Sequence, residues 1–288
     1  MKSNRLTKLV LSAPIIIFAL LLVAYPLLQG LQTGFFNFTL QNPAATFAGL
    51  DNFVQLFRKP GFVNASIFTV IFALVCTALE TILGFALAIL MNRVFPGKRI
   101  LFTLILVPIM IAPALLGIMF RLLLNADIGL LPALLKSVGL DVSLFDPHSI
   151  FPLLVVLDIA QWTPFTFLVI YAGLQSMPTD VLEASAIDGA GRWRTLASIV
   201  IPLIKPVIFA AAFLRLIDAI RTFDVIYVLT GGGPGTSTTT ISIYIYKIAF
   251  ESGNFGLAAA AATVVMIVLL PLVPVLVKRI SRPEEHTS

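Results

Sequence analysis

The sequence predicts an all-α integral membrane protein with about six transmembrane helices. Three observations lead there: a composition too apolar for a water-facing surface, about six apolar runs of membrane-crossing length, and a one-sided distribution of positive charge. Of the 288 residues, 59% are hydrophobic and 11% charged, and the mean hydropathy is +1.02. Soluble domains carry about 25% charged residues, so lipid is the expected solvent for most of this surface.

A bilayer-spanning helix needs about 20 mostly apolar residues. Six stretches qualify, at about 9–28, 65–91, 100–124, 150–174, 204–229 and 255–277. The first follows Lys2, Arg5 and Lys8 as a signal peptide would. Its apolar region is nearly twice a signal's length, and no small-residue cleavage site follows it, so a retained helix is expected. Prolines at 108, 113 and 164 fall inside spans and should kink or break them, leaving carbonyls that need partners in the bundle.

Orientation follows from the positive residues. With the N-terminus inside, the inner segments hold Lys2, Arg5, Lys8, Arg93, Lys98, Arg99, Arg192, Arg194, Lys205, Lys278, Arg279 and Arg282. The outer loops then hold only Arg58, Lys59, Lys136 and Lys247. Both termini are therefore expected in the cytoplasm. The net charge of +5 is carried at the ends of apolar segments, which argues against a nucleic-acid surface. The single cysteine, Cys76, excludes an intrachain disulfide, and two isolated histidines, His148 and His286, make no metal site.

The loop of residues 176–206 faces inward in this orientation. Asp180 can cap a helix starting near Val181, and that helix should stop at Gly189 and Gly191, where glycine supplies a left-handed cap. A second amphipathic turn, with Trp193, Leu196 and Ile199 near one face, leads into the fifth span. Two readings suit this helix-turn-helix. Its small residues allow close approach by another protein, or it rests on the headgroups with Arg192 and Arg194 on phosphates.

The residues Glu183-Ala184-Ser185, Asp188-Gly189 and Ile201-Pro202 resemble the EAA loop of permease subunits of binding-protein-dependent ABC importers. Serine stands where the second alanine is usual, which keeps the residue small. Four further stretches extend the resemblance: Gly49-Leu50-Asp51-Asn52-Phe53, Phe95-Pro96-Gly97-Lys98, Phe120-Arg121 with Asn125 and Gly129-Leu130, and the run from Phe223 to Gly235. Phe120 stands where that branch usually has tryptophan. Together they are similar to the carbohydrate importers of the maltose and glycerol-phosphate type. The resemblance implies the type I importer permease fold, with residues 1–288 as one transmembrane domain in the cytoplasmic membrane. It also implies that the 176–206 loop is the coupling helix that docks on an ATPase subunit. The implied partners are a second permease, two ATPase subunits and an external solute-binding protein, with ATP and Mg held by the ATPases. The glycine run from Gly231 lacks the lysine of a phosphate loop and faces outward, so it reads as a turn.

Ionisable groups within a span are costly and are functional candidates by default. Arg215, Asp218, Arg221 and Asp224 recur at i, i+3 with alternating sign, so they share a face of the fifth span and can pair in sequence. They form either a self-neutralised ladder or a polar wall of the solute path. Counting rise along the helices puts Glu80 level with Arg215. Asp158, Gln161 and Trp162 combine hydrogen-bonding groups with an aromatic face, as a sugar requires, and Tyr227 joins them as a path candidate. No bond chemistry is expected of the chain itself. The rival reading is a stand-alone ion-coupled transporter using Glu80, Asp158 and Asp218 as proton relays.

Overall fold

The computed structural model describes residues 3–139, 145–271 and 274. In chain order the elements are α1 (Ser3–Ala19), a π turn, α2 (Tyr25–Thr33), β1 (Phe36–Thr39), β2 (Asn42–Phe47), α3 (Asp51–Arg58) and α4 (Pro60–Met91). Then come α5 (Lys98–Leu106), a 3-10 turn, α6 (Pro113–Leu123), α7 (Leu130–Ser137), α8 (Ile150–Gln175), α9 (Thr179–Ile187) and α10 (Arg192–Thr195). A π turn joins α10 to α11 (Ile201–Ile220), followed by α12 (Asp224–Thr230), α13 (Ile241–Tyr246), a third π turn and α14 (Phe255–Leu269).

Among the described residues, four helical runs are long and apolar enough to cross a membrane: Val10–Thr33, Pro60–Met91, Ile150–Gln175 and Arg192–Ile220. A further apolar pair, Lys98–Met110 and Pro113–Leu123, is bent by 94° at its break, the geometry of a broken span or a re-entrant loop. The break falls between Pro108 and Pro113, where a missing N–H and a ring clash end one helix and Pro113 starts the next. Pro164, by contrast, does not interrupt α8. One lost hydrogen bond in a 26-residue helix is tolerated when neighbouring helices pack around it. The expected span at 204–229 is corrected at both ends. Helix begins at Arg192 and stops at Ile220, and α12 is a separate short helix. The sixth expected span is helical over Phe255–Leu269, and its continuation, like Lys278, Arg279, Arg282 and the C-terminus, lies mainly or wholly outside the described residues.

The chain divides into two compact units. The first holds residues up to Val63 together with Tyr244–Pro271. In it, α14 packs on the β1–β2 hairpin and on α2 through small residues. A Cβ on Gly256 would lie 2.1 Å from the Phe36 carbonyl oxygen, so only glycine permits this approach. Asn52 fixes the hairpin by donating to the carbonyls of Gly34 (2.9 Å) and Phe36 (3.0 Å). The alanine run at 258–262, whose small side chains permit close helix contact, supplies three buried residues here, Ala258, Ala260 and Ala261.

The second unit, Asn64–Ile243, carries the polar cluster and the α9–α10 loop. Its packing centres on α8, which meets α4 closely enough that a Cβ on Gly84 would lie 2.3 Å from Thr166 Oγ1. Phe72, Cys76, Leu154, Leu157, Ile226 and Ile243 form one core, and Ala88, Met91, Phe167, Ile170, Ile204 and Ala211 a second.

Candidate functional site: a buried ionic cluster and a protruding loop

Three helices each bring ionisable side chains to one point in the second unit. Arg215 on α11 is 1% exposed and Glu80 on α4 is fully buried. Arg215 Nε faces Glu80 Oε2 at 2.6 Å, and its Nη2 donates to Glu80 Oε1 at 3.1 Å. The same Nη2 donates to Asp158 Oδ2 on α8. Nη1 donates to Asp218 Oδ2 at 3.3 Å, one turn along α11, and that carboxylate is half exposed. The guanidinium also lies 5.2 Å from the centre of the Trp162 ring, within cation–π range. Planar, with five donors in a fixed fork, arginine can meet Glu80 with two nitrogens and still reach Asp158 and Asp218, more donors than the three of a lysine.

The i, i+3 ladder is therefore half present. Arg215 and Asp218 pair, but α11 ends at Ile220, and Arg221 and Asp224 stand beyond its last turn. No ion pair of either is found among the described residues. The helix ends without glycine or proline. Carbonyls freed at the break are instead met by hydroxyls from the following segment: Thr240 donates to Thr222 (3.0 Å) and Ser242 to Arg221 (3.3 Å). Phe223 takes φ −136° before α12 starts with Asp224 in its first turn, where helix-dipole charge favours a carboxylate.

This break opens a cavity of about 170 Å³. Asp158, Trp162, Asp218, Arg221 and Asp224 line it, so five of the candidate path residues are brought together. Thr222, Phe223 and Pro113 also line it and were not among the path candidates read from sequence. Position next to two helix breaks is what they share. Glu80 and Arg215 sit behind this wall, and Gln161 is engaged elsewhere. Its amide donates to the Ile111 carbonyl at 3.2 Å, supplying the partner that the broken α5–α6 run needs. Tyr227 stacks on Phe223 with ring centres 4.9 Å apart.

The loop has its own logic. Pro178, not Asp180, occupies the cap position of α9, and Asp180 lies in the first turn without a capping bond. Proline's fixed φ already sets the entry, leaving the carboxylate to the dipole. At the other end Gly189 takes φ +70°, and the N–H groups of Ala190 and Gly189 bond the Ser185 and Ala186 carbonyls at 3.0 and 3.1 Å. This is the Schellman pattern, with glycine where the left-handed residue falls. Gly191 has φ −66° and caps the start of α10 instead. Ser185, the departure from alanine, is buried and donates to the Leu182 carbonyl at 2.9 Å, so its hydroxyl is satisfied in the helix. Leu196 and Ile199 are half-buried as expected, but Ile187 and Trp193 project outward, 86% and 84% exposed.

Broken apolar helices around a polar cavity, with a protruding loop at their ends, define a membrane transport subunit. The sequence places it further. Residues 80–283 match the family described as binding-protein-dependent transport system inner membrane component, and the chain belongs to that family. It is 36% identical over 238 residues to the trehalose/maltose transport system permease protein MalF of Thermococcus litoralis, covering 82% of this chain and 80% of that one. It is 32% identical to the sulfoquinovosyl glycerol transport system permease protein SmoG of Agrobacterium fabrum, over 98% of this chain and 92% of that one. A bacterial alginate ABC transporter in complex with an alginate pentasaccharide-bound periplasmic protein contains a chain that superposes with a TM-score of 0.81. That chain is 26% identical, and the match covers 96% of this chain and 93% of it. The protein is thus an integral membrane permease of the sugar ABC transporter kind, with the importer fold.

Proposed function

We propose that this chain is the permease subunit of an ATP-driven importer that passes a sugar or sugar derivative into the cytoplasm by alternating access. It would work beside a second permease, two ATPase subunits holding ATP and Mg, and an external solute-binding protein. Both termini and the 176–206 loop would face the cytoplasm. In this reading Glu183, Ala184, Ser185, Asp188 and Gly189 form the docking helix for an ATPase subunit, and Ile201-Pro202 tie it to α11. The cavity at the α11–α12 break would be part of the solute path, with Asp218, Arg221 and Asp224 offering hydrogen bonds and Trp162 and Phe223 offering ring faces.

The observation that carries this reading is the exposed Ile187 on a tightly capped helix. Together with the exposed Trp193 of the same loop, it gives a rigid turn an uncovered apolar surface, which suits a protein partner. The rival reading needs Glu80 and Asp158 free to exchange ions, yet both are held by Arg215. The test is ATPase activity of the reconstituted complex, with and without loaded binding protein. Gly189→Val, strained at positive φ, and Glu183→Lys should each leave solute capture by the binding protein intact and abolish its stimulation of ATP hydrolysis. Wild-type stimulation and uptake in both variants would remove the loop from the coupling role.

A further inference from the structure

Three apolar helices of the second unit end around one groove. Helix α4 stops at Met91, α8 stops at Gln175, and the α10–α11 run starts at Arg192. The groove they enclose with α9 has a volume of about 730 Å³. Because apolar helices terminate there, it sits where hydrocarbon gives way to headgroups.

Its lining comes in two tiers. Ile89, Leu174, Leu196 and Val200 make an apolar wall on the span side, and Arg93 and Arg192 stand at the loop side. Neither arginine has an ion-pair partner among the described residues, and no aspartate or glutamate lines the groove. Asn92 is bridged to Gln175 at 2.6 Å, which ties α4 to α8 beside it. Trp193 adds an exposed indole at the rim, the ring type favoured at membrane interfaces. An apolar trough that ends in two unpaired guanidinium groups complements one kind of molecule, an anionic phosphate carried on hydrocarbon chains.

We propose that this groove binds an anionic phospholipid, with its phosphate between Arg93 and Arg192 and an acyl chain along Leu196 and Val200. Such a lipid braces α9 against the ends of α4 and α8. The site therefore links the loop's rigidity to the acidic lipid content of the membrane. It stands whether or not the loop docks on an ATPase.

The test measures lipid bound to the intact complex. Purified complex is exchanged into nanodiscs of phosphatidylcholine with increasing phosphatidylglycerol, and retained phosphatidylglycerol is counted by native mass spectrometry. Arg93→Gln with Arg192→Gln should weaken retention about thirtyfold, the product of two arginine contacts each worth several-fold at a membrane surface. Arg93→Lys with Arg192→Lys should keep most of it. Arg194→Gln, two residues along but outside the groove, should change nothing. Equal retention in the double glutamine variant overturns the site. So does an equal loss in Arg194→Gln, which would indicate general surface charge. Displacement by soluble glycerol phosphate would indicate a free-anion site and overturn the lipid assignment. Should the double variant fail to assemble, a photoactivatable phosphatidylglycerol on the wild-type complex decides. Crosslinks to the Arg192–Leu196 segment, absent with the phosphatidylcholine analogue, support the site, and equal labelling by both sinks it.

Discussion

The Arg215 cluster and the α9–α10 loop solve opposite problems. The cluster buries polar groups and gives each a partner within the chain: one guanidinium contacts Glu80, Asp158 and Asp218. The loop leaves apolar Ile187 and Trp193 in the open while α9 is closed at Gly189 by hydrogen bonds of its own backbone. One region is complete as it stands, and its residues should be intolerant of change for reasons of folding. The other is rigid but uncovered, and its residues should tolerate change in the isolated chain and matter only when a partner arrives. Mutations can break or sharpen this contrast.

The largest effect should come from the cluster. Removing one member of a buried ion pair costs about 3–5 kcal/mol, because the other charge is stranded. Arg215→Leu strands two carboxylates at once, so loss of assembled complex is expected. The reversal of Arg215→Asp with Asp218→Arg is more informative. If the ladder along α11 were the whole arrangement, reversal would restore it. Here it would place a new carboxylate against Glu80 and Asp158, on other helices, so no rescue is expected. Thermal stability of the detergent-solubilised complex reads the outcome. Recovery to near wild-type would mean that Asp218, not the interhelical pairs, is the main partner of Arg215.

A smaller effect is expected at Gly84. It lies one turn from Glu80, where α4 meets α8, and Thr166 there donates to the Glu80 carbonyl at 2.8 Å. An added Cβ would meet Thr166 Oγ1 at 2.3 Å and Phe167 N at 2.8 Å. Gly84→Ala should therefore lower stability by about 1–3 kcal/mol, the usual range for overpacking. The loss should shrink in a Thr166→Ala background, which removes the nearest clashing atom. Equal losses in both backgrounds would show that backbone, not the hydroxyl, sets the distance.

What the sequence conveyed, and what it withheld, divides along the same physical line. Hydrophobic length and proline gave the spans and the broken α5–α6 run, since both are local properties of chain and solvent. Depth counting placed Glu80 level with Arg215, and the two do meet. The break after Ile220 was not legible. Nothing in 216–223 disfavours helix, and the stop depends on hydroxyls of Thr240 and Ser242 some 20 residues on. Reading through it left Arg221 and Asp224 open between ladder members and path wall, and the break puts them on the cavity wall. The partner of Gln161 was hidden for a similar reason: the Ile111 carbonyl is left to accept only because the α5–α6 run is broken. In the loop, Gly189 was legible because positive φ is a property of one residue. The exposure of Trp193 was not, because periodicity gives a face and not what covers it.

The smallest effect on the chain alone should be at Ile187, and it is the sharpest test of the contrast. Its side chain is already 86% exposed at the last position of α9, outside the groove and short of the Gly189 turn. Replacing it by serine removes apolar surface from water and strands no partner, so stability should stay within about 0.5 kcal/mol. If a partner protein covers it, that surface is worth about 1.5–3 kcal/mol of binding when fully buried, which is roughly a tenfold to hundredfold weaker association. Ile187→Ser should thus leave the melting temperature of the permease unchanged while its ATPase subunits dissociate at lower dilution, read by size-exclusion co-elution across a concentration series. A melting temperature that falls with unchanged co-elution would reverse the assignment. Ile187 would then contribute to folding in the membrane, and the uncovered face of this loop would belong to lipid instead of to a protein.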